Sequence, residues 1–572
     1  MITKIIDKFI GAKKNGFTWL ESCLATVENG KSVIYPMFWN GNVTDASDVG
    51  MTNLHQIVGF CERGLATNYK YGIDNYGRIF RTSGDNEDFT EYHYVGNSAY
   101  SDLGDIKPFR IDNSASILYT SRRYLGREVG GSLTDNWKDL VIVDDTCSRQ
   151  IILGEDIAYI GNKNYLASID DAGNLSAYHK KLPVGYKFQC GAYNNASLLI
   201  GMNNLVETKG AIGFWNTYSD GWNNLMPIDN LVYAIIAYEN GFIFVSGTDI
   251  YFSNGYSKTK LGNFLDTDLD LNDISSMDIK PNGLAIYKNY LVINGGINSY
   301  NRKKKGIWFF NLETRDWAFY PYNKGGTNGK TYHDNYSGAL FLQKETLYYG
   351  CKSDALSDSY LYYLNKIIFQ KFWGEGNRDY YSVIISPFLP VYKKAFLKEI
   401  IVEVIQTPEY QFKIYPTTGY SEITLKIANP IYPLFQHGIA QALTSSTLKV
   451  ASSGVTTHRA EIGDEVLFLE GANRGKRVHI TSIADKATGN EVWTISPTIT
   501  EGENGIDVQV FPFKKIGAVK KLSFTDNRFY FNCDKLPISG GFYIELIADY
   551  IYAPFYISSI TYSYDTISDP ND

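Results

Sequence analysis

"VYAIIAYENGFIFVSGTDIYFSNG", residues 232–255, reads as a short apolar strand, a turn, a further strand ending in aromatics, and then a polar connection. Val, Ile, Phe and Tyr suit a pleated, half-buried surface, while the "ENG" and "SGTD" breaks carry the Asn, Asp and Gly that tight turns favour. A helix would need apolar residues three and four apart over a longer run. The stretch is therefore strand, turn and strand.

The same unit recurs on both sides of it. "GLATNYKYGIDNYGRIFRTS" (64–83), "SASILYTSRRYLGR" (114–127), "DIAYIGNKNYLASIDDAG" (156–173) and "ASLLIGMNN" followed by "GAIGFWNTYSDGWN" (196–223) precede it. "GLAIYKNYLVINGG" with "KGIWFFNLETRDWAFYP" (283–321) and "GALFLQKETLYYGCKS" with "SYLYYLN" (338–365) follow. That makes about seven units of roughly 40–50 residues, the period of propeller blades. One small sheet cannot bury both faces, whereas a ring of such sheets can. The repeats carry no W-D or kelch signature, and an irregular pair of β-sandwiches is the competing arrangement.

Composition agrees with an all-β chain. Tyr 45, Phe 31 and Trp 9 give 15% aromatic residues beside 51 Gly, a bias toward strands and the turns between them. At 572 residues the chain exceeds a single ordinary core, so several domains are expected. We expect residues 1–50 to be an N-terminal arm or closing strands and 51–378 a β-propeller of about seven blades. After 378 the strands lengthen. Alternation of Ile560, Tyr562 and Tyr564 with Ser559, Thr561 and Ser563 marks a half-buried antiparallel sheet. Residues 379–440 plus 508–566 are assigned to a C-terminal β-sandwich, and 441–507 to an inserted small barrel of SH3 or OB type.

That insert contains "GDEVLFLEGANRGKRV" (463–478), which invites a phosphate-loop reading. Only three residues separate Gly471 from Gly475, Arg477 stands where Ser or Thr should follow Lys476, and both flanks read as strand. A phosphate cradle needs a helix opening after its lysine. "GANRG" is instead a hairpin tip, with Gly471, Asn473 and Gly475 available for positive φ.

A net charge of -7 and a pI near 5.7 argue against a nucleic-acid partner. The six cysteines, Cys23, Cys61, Cys147, Cys190, Cys351 and Cys533, form no C-x-x-C pair and suit free thiols in a reducing cytoplasm. "MITKIIDKFIGAKKNG" lacks a signal-peptide core and no run of 18 apolar residues occurs, so a soluble product without membrane insertion is expected.

No catalytic constellation stands out. His55, His93, His179, His333, His437, His458 and His479 are isolated, and no H-E-x-x-H or G-x-S-x-G occurs. "IFRTSGDNEDFTEYHY" (79–94) faintly resembles the Asp-box turn of propeller glycosidases through Ser83 and Asp85, but Glu87 replaces its glycine. "DTDLDLND" (266–273) offers Asp266, Asp268 and Asp270 as a calcium candidate, yet Leu271 and Met277 stand where the loop glycine and bidentate glutamate belong. A solvated loop accounts for it. No cofactor and no resident metal are expected.

Blade-like repeats, a sheet opening "YYSVIISPFLP" and closing "ISSITYSYD", and the inserted "GDEVLFLEGANRGKRVHITSI" module resemble β-propeller structural proteins of tailed-bacteriophage tails. The resemblance covers most of residues 50–566 as a texture of strands and turns. It implies a non-enzymatic component of the tail, nozzle or neck, made in the bacterial cytoplasm and resident in the virion. Its partners would be other tail or neck proteins and further copies of itself in a symmetric ring. A receptor-binding adhesin recognising host-surface glycan is the alternative, and a propeller glycosidase or depolymerase the weaker one.

Overall fold

The computed structural model describes residues 2–6, 19–21, 23–28, 31–36, 38–42, 57–63, 69–75, 77–82, 89–95, 104–112, 114–142, 148–264, 274–299, 303–321, 336–343, 346–352, 364–368, 381–386, 389–406, 422–428, 436–451, 465–468, 473, 476–484, 490–500, 506–511, 513–515, 520–521, 528–549 and 555–566. Among them the regular elements are β-strands and no α-helix occurs.

Residues 232–255 form the first three strands of a four-stranded antiparallel sheet, Val232–Tyr238, Gly241–Ser246 and Asp249–Ser253, completed by Lys258–Asn263. Gly241–Ser246 is buried along its whole length, as a strand sandwiched between neighbouring sheets must be. The turn after it holds Gly247 at φ 56, where an added Cβ would lie 2.8 Å from the Asn230 amide nitrogen. Only glycine fits there without strain.

Among the described residues six separate four-stranded sheets of this kind occur, and a further four-stranded meander of the same series is part of a larger sheet. Their first strands are Ile57–Arg63, Asp105–Ile111, Ile151–Leu153, Tyr186–Asn194, Val232–Tyr238, Ile274–Tyr287 and Tyr336–Gln343, here units 1 to 7. Each first strand packs beside the next, and that of unit 7 returns to that of unit 1. The apolar cores lie between units rather than within them. Leu199, Ile212 and Phe214 of unit 4 share a cluster with Ile235, Phe242 and Phe244 of unit 5. Phe109, Leu118 and Leu125 of unit 2 do the same with Ile151, Ile160 and Ile169 of unit 3. Burying each such side chain contributes roughly 1.5–3 kcal/mol, so a unit removed from its neighbours loses most of its stabilisation.

The ring closes by a contribution from the other end of the chain. In unit 7 the three strands Tyr336–Gln343, Thr346–Lys352 and Leu364–Ile368 are joined by Phe38–Asn42, with Phe38 opposite Ile368 and Trp39 opposite Ile367. Across the closing seam Ile57, Phe60, Phe80 and Phe89 meet Ala339 and Tyr348. Gly338 permits this approach, since a Cβ there would sit 2.5 Å from the Ile57 carbonyl oxygen.

Unit 6 is not a separate sheet. Its outer strand Trp317–Pro321 pairs in parallel with Trp19–Glu21, which pairs with Tyr381–Ile385, and the pairing continues into a 15-stranded sheet. Arg528–Asp549, 22 residues long, joins its two parts: residues 528–542 pair with Leu389–Gln406 and 543–549 with Tyr381–Ile385 and Glu422–Ala428. With Trp19–Glu21, the strands Ile2–Ile6, Cys23–Glu28 and Lys31–Pro36 make four from residues 1–50, expected as an arm or closing strands, that belong to this same sheet.

Gln436–Thr444, Thr447–Ala451, Glu465–Phe468, Arg477–Ala484, Asn490–Ser496 and Ile506–Phe511 close into a six-stranded barrel. The strands therefore reach beyond 441–507 on both sides. Gln436 lies opposite Val510, so the barrel's entry and exit are neighbours. Its interior holds Leu448, Val466, Phe468, Val478, Ile480, Trp493 and Ile495.

Candidate functional site

Among the described residues, polar side chains tie the units together where they meet, and the first such tie sits at the middle of the ring. In the first strand of unit 6 the register slips between Ile279 and Leu284, pushing Pro281, Asn282 and Gly283 out of the ladder. A β-bulge re-aims a side chain in this way. The Asn282 amide donates to the Val58 carbonyl of unit 1 at 3.0 Å, and its oxygen accepts from the Gln150 amide of unit 3 at 3.1 Å. Gln150 in turn accepts from the Gly191 N–H of unit 4 at 2.8 Å. Four units are thus tied by two side chains. Beside them Asp105, fully buried, accepts from the N–H groups of Ile106 (2.8 Å) and Ile151 (2.9 Å) and pairs with Lys107 at 3.2 Å. Burial pushes its carboxyl pKa up, against the Lys107 charge and the two N–H donors that lower it.

The second construction is the seam between units 1 and 2. Arg63, at the end of the first strand of unit 1, bonds both oxygens of Glu128 in unit 2 at 2.8 and 2.6 Å. These side chains are 10% and 2% exposed, and Glu128 also accepts from Gly131 N–H at 2.7 Å. Nearby the Arg81 guanidinium lies 3.7 Å from the Tyr92 ring centre and 4.5 Å from that of Tyr69. Further out, Asp135 accepts from the Tyr119 hydroxyl at 2.5 Å and sits 2.9 Å from His93 Nε2. Burial raises the Asp135 carboxyl, but the His93 and Tyr119 hydrogen bonds outweigh it and hold the pKa below the usual range. The Tyr119 hydroxyl is pushed well above its ordinary value, first by burial and then by Asp135. A tyrosine so held donates to a carboxylate and does not act as a base near neutral pH. The chemistry of this seam is that of a clamp.

Equivalent polar ties recur elsewhere. Asn203 of unit 4 exchanges two hydrogen bonds with the backbone of Val232 in unit 5, at 3.1 and 2.9 Å. Arg149 reaches Asn162 at 2.5 Å and the Arg122 carbonyl at 2.8 Å, binding units 2 and 3. Ser337 of unit 7 donates its N–H to Asp278 of unit 6 at 2.7 Å.

The residues singled out from sequence fall differently. Asp266, Asp268 and Asp270 lie outside the described residues, as do Ser83, Asp85 and Glu87. Among the described residues no group of three or more His, Cys, Asp or Glu could hold a metal ion. His93 is drawn into the seam, while His179 packs against Tyr159 and Trp215, with ring centres 5.8 and 5.7 Å away. Lys476 belongs to a strand-turn-strand unit: Glu465–Phe468 pairs with Arg477–Ala484, and no helix follows the lysine. Asn473 has another use than an exposed turn. It is 2% exposed and its side chain exchanges two 2.8 Å hydrogen bonds with the backbone of Thr500, pinning the hairpin to the barrel. Cys23, Cys61, Cys190 and Cys533 are buried.

Sequence reasoning passed over Asn282, Gln150 and the Arg63–Glu128 pair. For Asn282 a signal existed: "KPNG" (280–283) is a turn motif lodged inside an apolar strand.

No protein-family description and no curated protein sequence matches the chain. Solved structures similar to it include the computationally designed Ika8 protein, at 11% identity and TM-score 0.35, covering 58% of this chain and 100% of that one. The WD40 domain of Neurospora crassa Pan2 is similar at 7% identity and TM-score 0.38, covering 58% and 96%. Chaetomium thermophilum Raptor is similar at 10% identity and TM-score 0.39, with 58% of this chain spanning 29% of that one.

Proposed function

We propose that this chain is a non-enzymatic structural subunit of a tailed-phage tail, nozzle or neck. In this reading its architecture is a seven-bladed propeller, a C-terminal sandwich and a small barrel inserted in it. The observation that carries the reading is the use made of polar groups. Asn282 and Gln150 bind four units to one another at the ring centre, and the unit 1–2 seam spends Arg63, Glu128, Asp135, His93 and Tyr119 on one another. Groups engaged in this way serve rigidity. The continuous pairing from unit 6 through Trp19–Glu21 into the C-terminal strands adds a stiff joint between ring and sheet, which suits a part that holds its place under load. The assignment to a phage particle rests on the sequence resemblance.

Mass spectrometry and electron cryo-microscopy of purified particles test this reading. The expected result is the chain in a copy number fixed by the tail's symmetry, with incomplete tails or necks when its gene is removed. Infectious particles of normal form without it would overturn the reading.

One observation favours the adhesin alternative. Tyr218, Tyr178 and Tyr256, in units 3 to 5, are 82%, 52% and 64% exposed, and tyrosine combines contact area with a polar handle. Glycan-array binding lost in a Tyr218→Ala/Tyr178→Ala variant would promote it.

A further inference from the structure

We infer that copies of this chain stack ring on ring, the end of units 3 to 5 that carries Val184, Leu205 and Val206 meeting the opposite end of the same units in the next copy. The inference rests on the proposed assembly and names one contact within it.

Successive strands of a meander run in opposite directions, so its connections fall at two ends. In units 3 to 5 one end holds 163–164, 182–185, 205–209, 229–231 and 247–248, and the other 154–156, 171–174, 195–196, 217–223, 239–240 and 254–257. At the first end Val184, in the connection into unit 4, is 90% exposed, while Leu205 and Val206, in a hairpin turn of unit 4, are 61% and 73% exposed. The two turns adjoin, since Leu205 donates its N–H to the Gly185 carbonyl at 3.1 Å. Contiguous aliphatic side chains at this exposure form an uncovered apolar tip, unlike single surface residues. The charges of the connections at this end balance, Lys163 and Lys209 against Glu207 and Asp229. Lys181, exposed, and Lys187, paired with Glu207 at 2.5 Å, flank the tip and leave it in a surplus of positive charge.

The other end has the opposite character. Its connections carry Glu155, Asp156, Asp171, Asp220 and Glu239, all exposed, and no lysine or arginine. Tyr218 and Tyr256 project among them. The Tyr193 hydroxyl, pushed up first by burial, is pushed further by Glu155, Tyr218 and Asp156, which places tyrosine and carboxylates side by side. An apolar, cationic surface and an aromatic, anionic one are complementary in the way that selects partners. Strand Ser197–Asn204 runs from one end to the other, about 26 Å for its eight residues. The two surfaces point away from each other, so within one chain they cannot meet. Two copies can, and because both surfaces lie over unit 4, a shift along the ring axis brings them together. Such a contact is heterologous and repeats until something caps it. A stable interface needs roughly 1,200 Å² in total, more than three aliphatic side chains supply, so the charged connections take part and salt weakens the stack.

Light scattering and sedimentation velocity of the full-length chain at low and high ionic strength test the inference. Mass should grow with concentration at low ionic strength and fall back when salt is added. Val184→Ser/Leu205→Ser/Val206→Ser removes the apolar tip, and Glu155→Lys/Glu239→Lys spoils the acidic end. Each variant alone should lose the salt-sensitive growth. Mixed in equal amounts, the two should reach twice the mass of either alone and no more, because each keeps one intact end; that recovery also shows both to be folded. Growth unchanged in either variant, or a mixture no heavier than its parts, refutes stacking while leaving other modes of assembly standing. An intact chain that is monomeric at every concentration refutes stacking together with the self-assembly it rests on. Cosedimentation of such a monomer with phosphatidylglycerol vesicles, lost in the serine variant, would assign the tip to a lipid surface and likewise overturn the inference.

Discussion

Substituting Glu128 by Ala should destabilise the seam between units 1 and 2 by about 3 kcal/mol, at the low end of the range for breaking a buried ion pair. The carboxylate is 2% exposed and meets Arg63 through two bonds of 2.8 and 2.6 Å, so its loss leaves a guanidinium that is 10% exposed without its charged partner. The Gly131 N–H, 2.7 Å from the same carboxylate, loses its acceptor too. What keeps the cost from the upper end is Tyr71, whose hydroxyl lies close to Arg63 and leaves it a neutral polar neighbour. A loss of 3 kcal/mol corresponds to roughly two decades in the local opening equilibrium. Native-state hydrogen exchange reads this directly, through the amides of Ile57–Arg63 and Tyr124–Val129, and avoids a two-state assumption for a chain of this size. The double variant Arg63→Met/Glu128→Leu removes both charges while keeping volume, and should recover most of the lost protection. Protection in Glu128→Ala within a factor of ten of the parent, or a double variant as weak as the single one, would refute this account of the seam.

Gly338→Ala should open the ring at its closing seam, because the new Cβ meets backbone atoms at 2.5 and 2.8 Å that cannot turn aside; limited proteolysis would then release fragments between units 7 and 1, and an unchanged digest would contradict the closure. Replacing 436–511 with a short Gly-Ser linker should leave the ring intact, since Gln436 and Val510 are neighbours, and loss of cooperative melting in the remainder would count against it. The Asp135 pKa is depressed in the folded protein, so its contribution is present above the unfolded carboxylate value and is lost as pH falls through the folded one. Stability measured downward from about pH 4 should drop more steeply in the parent than in Asp135→Asn, and equal slopes would remove this group from the linkage.

The meander units were legible because each is local. In residues 232–255 the apolar runs, the Gly247 turn and the sequence-adjacent partner strands lie within a few residues of one another, so propensity and pairing agree. The sequence offered residues 1–50 as an arm or closing strands, but not the partner of Phe38–Asn42. Its partner Leu364–Ile368 lies more than three hundred residues away, and nothing in "FWNGN" specifies which edge it will complete. The joint of unit 6 to Trp19–Glu21 escaped for the same reason. The polar ties were hidden differently. His93 and Asp135 are single residues on outer strands that look like solvated positions until two sheets bring them to 2.9 Å. Asn473 read as a turn residue because its backbone setting suggests one, whereas its burial comes from Thr500, 27 positions on.

The strand that closes unit 7 also sets a clock on biosynthesis. Phe38–Asn42 leaves the ribosome long before Leu364–Ile368 exists. At roughly 5–20 residues per second the delay is about 20–60 s, far longer than a hairpin needs to form. During that interval units 1 to 6 can stack in order of emergence, while the earliest segment stays without its final partner. Ile2–Ile6 waits longer still, until Ile560–Tyr564 is made at the far end of the chain. A nascent chain therefore keeps its first strands uncommitted for nearly the whole of translation, and its ring and its long sheet are completed only after their late partners emerge.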